Sequence, residues 1–332
     1  MSHLRARSWN MSKTVTAPII LPWPLQNSLE IAARLLLHAD DHSSIDFLRP
    51  AGEGALVSAD SVSWRVFKNP LSLFVGGVTA VIMELAEPRV RAGVWEHTTF
   101  RSDPLRRLRR TGQAAMVTVY GPRSVAEKMI ARVRRMHDTV AGTTSSGEPY
   151  RANDPELLNW VYATAAYGFV QAYHTYVQPL SSLERNSYYA DGAPAAALYG
   201  TTSTPKTEAD LELLFEGTAK RLERSDIVLE FLAIMRSGPI LPLSIRPVED
   251  LLVRAAIDLT PRWVRAILGL NGHGLHAWES ELVRRIGALA DRLVLDSNPA
   301  VQACRRLRLP NDYLYVNRSG PSSISEGRTY DR

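Results

Sequence analysis

The chain has 332 residues, with 39 Lys and Arg against 34 Asp and Glu, eight His and one Cys. At 45% hydrophobic and 22% charged it has a globular composition, which excludes wholesale disorder. The lone Cys304 excludes a disulfide framework, a Cys-rich zinc site and a cysteine-ligated iron–sulfur cluster. All but five of the basic residues are Arg, which codon usage in a GC-rich genome explains more simply than function does. No basic stripe interleaved with aromatics is read, so nucleic acid is not the expected partner.

In chain order, residues 1–20 lack an apolar export core and read as a flexible segment, consistent with a cytoplasmic protein. Residues 27–38 (NSLEIAARLLLH) carry apolar positions at helical spacing after an Asn cap. SVSWRVF (61–67) is the best strand candidate, by alternation. A buried helix is expected from Pro70 to Pro88; its apolar run is too short to span a bilayer. Asp103-Pro104 opens a helix that Gly121-Pro122 closes, and Pro122 starts the next, ended by Gly142. TTSSGEPYR reads as a loop or hairpin, and Asn153-Asp154-Pro155 caps a long helix with no charge from Leu157 to Leu183. Its polar residues suit a protein interior, so no stable membrane insertion is expected. Residues 186–206, rich in Gly, Ala, Ser, Thr and Pro, read as a surface connection, and five further helices follow to about residue 295. The predicted fold is all-α, one large helical domain over 21–315 with a buried central helix, followed by a disordered tail at 316–332.

Two helices carry the candidate chemistry. On 122–141, Val125, Met129, Ile130, Val133, Met136 and Val140 form a predicted buried face that includes His137, bordered one turn earlier by Arg134. A neutral imidazole aimed into an apolar interior beside an Arg is what a haem site requires, and equally what a hydrogen-bonded core His looks like. On 105–120, Arg107, Arg110 and Thr111 share one face at i, i+3 and i+4, either a carboxylate-binding surface with a hydroxyl or a solvated basic face. On the uncharged helix, Trp160, Thr164, Tyr167, Gln171, His174 and Gln178 form a stripe that either satisfies itself or lines a pocket.

The order WEHTTF, DPLRRLRRT, YGPRSVAEKMIARVRRMHDTVAG, Tyr150, ANDPELLNWVYAT and ERNSYY resembles the family that includes rubber oxygenase (latex clearing protein) and the fungal MpaB oxygenase. Its most specific part is Arg107-x-x-Arg-Thr111 followed by Arg134-x-x-His137. The resemblance implies an all-helical haem-b oxygenase with His137 as the proximal iron ligand, Arg134 and Arg107 beside the cofactor, and Thr111 and Arg110 as distal polar groups. Rubber oxygenase has Lys where this chain has Arg110, and an always-protonated Arg cannot ligate iron. The resemblance therefore points to a small apolar organic substrate and dioxygen rather than to a polymer. Two alternatives stay open: a metal-free helical binding protein with His137 in its core, and a non-haem metal site drawn from His97, His137, His174 and Glu96.

Overall fold

Asn69 sets the central helix. Its side-chain oxygen accepts from the amides of Leu71 (3.0 Å) and Ser72 (3.2 Å), and Pro70 supplies the fixed φ of a first turn. The computed structural model describes residues 17–19, 22, 26, 30, 45–97, 99, 100, 102–237 and 248–316. The expected helix at 27–38, nearly all of 1–20 and the tail beyond 316 lie outside the described residues. Within them the chain forms thirteen helices and one two-stranded hairpin, an all-α fold.

The helices are α1 (Val62–Phe67), α2 (Pro70–Glu84), α3 (Pro88–His97), α4 (Pro104–Tyr120) and α5 (Arg123–His137), then the hairpin β1 (Ala141–Thr143) and β2 (Pro149–Arg151). They continue as α6 (Pro155–Tyr176), α7 (Ser182–Tyr199), α8 (Glu208–Ala219), α9 (Asp226–Ser237), α10 (Glu249–Leu259), α11 (Arg262–Leu268), α12 (Ala277–Ala290) and α13 (Pro299–Arg306). The strands pair antiparallel with Gly142 opposite Tyr150.

The spine is the crossing of α2 and α6. A Cβ on Gly76 would stand 2.7 Å from the Phe169 Cα, and one on Gly168 would collide with the Gly76 carbonyl, so backbone meets backbone there. Leu71, Val75, Val78, Ile82 and Met83 of α2 are all buried, each worth roughly 1.5–3 kcal/mol relative to exposure. Helix α10 closes over α2, where the Thr79 hydroxyl donates to the carbonyls of Val75 (2.8 Å) and Ala256 (3.2 Å). Helix α12 seats Gly287 on the Tyr176 carbonyl.

Three expectations need correction. Residues 61–67 are helical rather than a strand: Ser61 caps the amide of Trp64 (3.3 Å), and Trp64, Val66 and Phe67 are all buried, so the alternation reflected burial on more than one side. The helix from Pro70 stops at Glu84. Glu87 then accepts from the Val90 amide (2.8 Å), Pro88 starts α3, and the axis turns by 112°. Most of 186–206 belongs to α7, which a Ser181–Glu184 capping box starts and Gly200, at φ +108°, ends. Buried Tyr188 and Tyr189 hold this helix in place despite the internal Pro194, because tertiary packing outweighs a local breaker. No single helix among the described residues is long and apolar enough to cross a membrane.

Candidate functional site

Helix α4 begins where Asp103 accepts from the Arg106 amide (3.1 Å), and it brings Arg107 and Thr111 one turn apart as the i, i+4 spacing requires. The Arg107 guanidinium donates to the Thr111 hydroxyl, and that hydroxyl donates back to the Arg107 carbonyl (3.0 Å). Nε of Arg107 is buried with no hydrogen-bond partner.

Across from it, Glu84 ends α2. Desolvation pushes its carboxyl up to about 7, against the pull of Arg107. Arg107 is in turn lowered by desolvation and by Arg110, and is held up by Glu84. Both side chains are half-buried.

His137 comes within reach of the Arg107 charge from the end of α5. Its ring is half-buried, and its pKa falls below the ordinary value through desolvation first and the Arg107 charge second; Asn153 and Asp138 oppose the shift. The ring is therefore neutral at pH 7 and has a free nitrogen lone pair. Asn153 donates to the Arg134 carbonyl (3.0 Å) and to Asp138 (2.6 Å), which fixes the end of α5, and its own Oδ1 is buried without a partner. Glu84, Arg107, Asn153 and His137 thus converge from four segments, two of them, Arg107 and Asn153, with a buried polar atom that has no partner.

The buried face of α5 differs from expectation. Ala126 and Ile130 are buried, Val133 and His137 continue their stripe at i+3 and i+4 spacing, and Met136 faces out at 43% exposure. The helix packs chiefly on α4 and α7, with its first turn held by Gly54 and Glu53, so its covered arc is narrow. The Thr118 and Tyr199 hydroxyls meet at 2.9 Å and tie α4 to α7. Arg134 is exposed; a Cβ on Gly200 would lie 3.8 Å from its Nε, and among the described residues no carboxylate pairs with it. Arg110 and Thr111 are also exposed on α4.

The other candidates are structural in this geometry. His174 Nδ1 accepts from the Leu180 amide (2.9 Å), so that nitrogen is occupied in closing the chain behind α6. In the same stripe Thr164 donates to the Trp160 carbonyl (3.1 Å) and Tyr167 to that of Leu259 (2.9 Å), so the stripe largely satisfies itself; Trp160 Nε1 has no partner. Tyr150, buried against Gly93 and Gly142, donates to Glu96 (3.1 Å) and lies 3.0 Å from His97 Nε2, joining the end of α3 to the hairpin. Among the described residues no three of His, Cys, Asp or Glu assemble as a metal-binding group. Cys304 is buried and its thiol is pushed up to about 12, so it offers no thiolate.

Sequence reasoning missed Glu84 and Asn153. Glu84 had a readable signal: it is the sole charged residue between Lys68 and Glu87. Asn153 had none, because it reads as an ordinary helix-entry residue.

A model of the family described as "ER-bound oxygenase mpaB/B'/Rubber oxygenase, catalytic domain" matches residues 64–292, about two thirds of the chain. No curated protein and no solved structure matches it.

Proposed function

Because the chain belongs to the MpaB and rubber oxygenase catalytic-domain family and is an oxygenase by that membership, we propose that it works as a haem-b-dependent oxygenase on a small apolar organic substrate and dioxygen, with His137 as the iron ligand. The observation that carries the cofactor assignment is the convergence of polar groups around a neutral imidazole: the unpartnered Arg107 Nε and Asn153 Oδ1 and the desolvated Glu84 carboxyl. The residues fit the group. His137 offers a ring nitrogen, while Arg107 and Arg134 offer guanidinium groups for carboxylates at its rim. Bound there, haem b would supply the oxygen activation that no side chain can provide.

The chain's own residues supply the rest. Asn153 holds the end of α5 and so the direction of the His137 ring. Glu84, poised near neutrality, holds a proton that it can give or take at its carboxyl oxygen. Thr111 and Arg110 supply a hydroxyl and a fixed positive charge on the α4 side. Leu158 and Val133 bring apolar surface beside Arg134 and His137, in keeping with an apolar substrate.

The test is optical. Protein from haem-replete cells shows a Soret band that pyridine identifies as haem b, and His137→Ala loses the band while keeping its helical circular dichroism, at a stability cost of roughly 1–3 kcal/mol. Colourless wild type that refuses added hemin leaves the metal-free binding protein as the reading.

A further inference from the structure

The charge of this molecule is unevenly placed. Residues 104–137, which form α4 and α5, hold nine of the basic residues and one acidic residue, an excess larger than the whole chain's +5. The rest of the chain is therefore slightly acidic. On α5, Lys128, Arg132 and Arg135 fall at i, i+4 and i+7, so they line one outward stripe, and all three are exposed. None is ion-paired among the described residues; on this helix Arg123 pairs with Glu127, 3.9 Å away. At the C-terminal end of the stripe Met136 (43% exposed), one turn after Arg132, adds an apolar side chain to the same surface.

We propose that this face of α5 docks the protein on an anionic lipid surface, which brings the chain to the phase in which an apolar substrate dissolves. Guanidinium groups pair well with lipid phosphates, and apolar side chains set among cations insert at the headgroup boundary. An acidic protein partner would match the charge equally, but it gives Met136 nothing to enter. The proposal rests on the oxygenase reading for its substrate alone, since docking itself requires no haem.

The experiment is vesicle sedimentation of the purified chain, with haem content measured separately from the Soret band. Vesicles of phosphatidylcholine alone are compared with vesicles containing phosphatidylglycerol, at low and high salt. The chain binds the anionic vesicles, and salt releases it. Reversing two charges in Arg132→Glu/Arg135→Glu lowers the partition coefficient on the order of a hundredfold, with circular dichroism unchanged. Met136→Ser weakens binding with less change in its salt dependence.

A comparison variant, Trp278→Ser, removes the most exposed Trp on α12 and leaves binding unchanged; Trp278 is 68% exposed. The proposal is overturned if anionic vesicles bind no better than neutral ones. It is overturned equally if Trp278→Ser abolishes binding while the double Arg variant does not. Retention of the chain by duplex DNA in the absence of vesicle binding assigns the face to nucleic acid instead. Vesicle binding by colourless protein upholds the docking surface even where the haem assignment fails.

Discussion

Among the described carboxylates, Glu84 is the one whose chemistry is furthest from its ordinary state. Its carboxyl is pushed up to about 7 by desolvation, and Arg107 offsets only part of that. In the unfolded chain the same group titrates near 4.5, so between these two values the folded state keeps a proton that the unfolded state releases. Stability therefore falls as pH rises through this window. The upper bound is about 3 kcal/mol, reduced to about 1–2 kcal/mol by the residual solvent contact of the group. Glu84→Gln keeps the shape and removes the titration, so its urea midpoint should lose this part of the pH dependence and exceed that of wild type on the alkaline side. Identical pH profiles for the two proteins across the window would refute a proton-holding Glu84. His137 shifts the other way: its lowered pKa makes the folded state bind fewer protons than the unfolded chain just below 6.5, so acid both destabilises the fold and takes the ring's lone pair.

At the scale of elements, the α2–α6 crossing is the contact with least tolerance, since the backbones touch at Gly76 and Gly168. Gly168→Ala places a methyl group against the Gly76 carbonyl and should cost about 1–3 kcal/mol or more through overpacking. Gly217→Ala, in α8 with nothing within 4 Å of the new methyl, should instead stabilise by roughly 0.5–1 kcal/mol through the backbone entropy of the unfolded chain. Denaturant midpoints of the two variants moving in the same direction would contradict this account of the crossing. Elements with strong local starts were legible in the sequence: α4, α5 and α6 begin at the Asp and Pro residues that mark them and α4 ends at Gly121, whereas α5 stops at His137, short of the expected Gly142, because Ala141–Thr143 pairs in the hairpin. The start and end of α7 were obscured because buried Tyr188 and Tyr189 hold its Ala-, Gly- and Pro-containing body. The break after Glu84 was obscured because an apolar run gives no sign of where it bends. Within the candidate site, helical spacing set His137 and Arg107 each on one face of its helix and the family resemblance alone gave them a role, whereas Glu84 and Asn153 meet them only through tertiary contact between α2, α5 and the entry to α6.

Over the whole molecule, the site and the fold are thermodynamically coupled. The site gathers a desolvated carboxyl, a buried guanidinium Nε and an amide oxygen without partners, each a cost that the rest of the core must offset. A cofactor that binds only the folded chain stabilises it by about 2.7 kcal/mol at a hundredfold excess over its dissociation constant. For a chain of this size that corresponds to a rise of roughly 5 °C in melting temperature. Adding hemin to the haem-depleted protein should therefore raise the melting temperature in a concentration-dependent way. The same titration on His137→Ala should show little or no rise, because the nitrogen that anchors the group is gone. His174→Ala should respond like wild type from a lower starting point, since His174 accepts the Leu180 amide at the end of α6 rather than facing the site. A hemin response that survives His137→Ala and vanishes in His174→Ala would move the ligand to the far end of α6 and defeat the site described here.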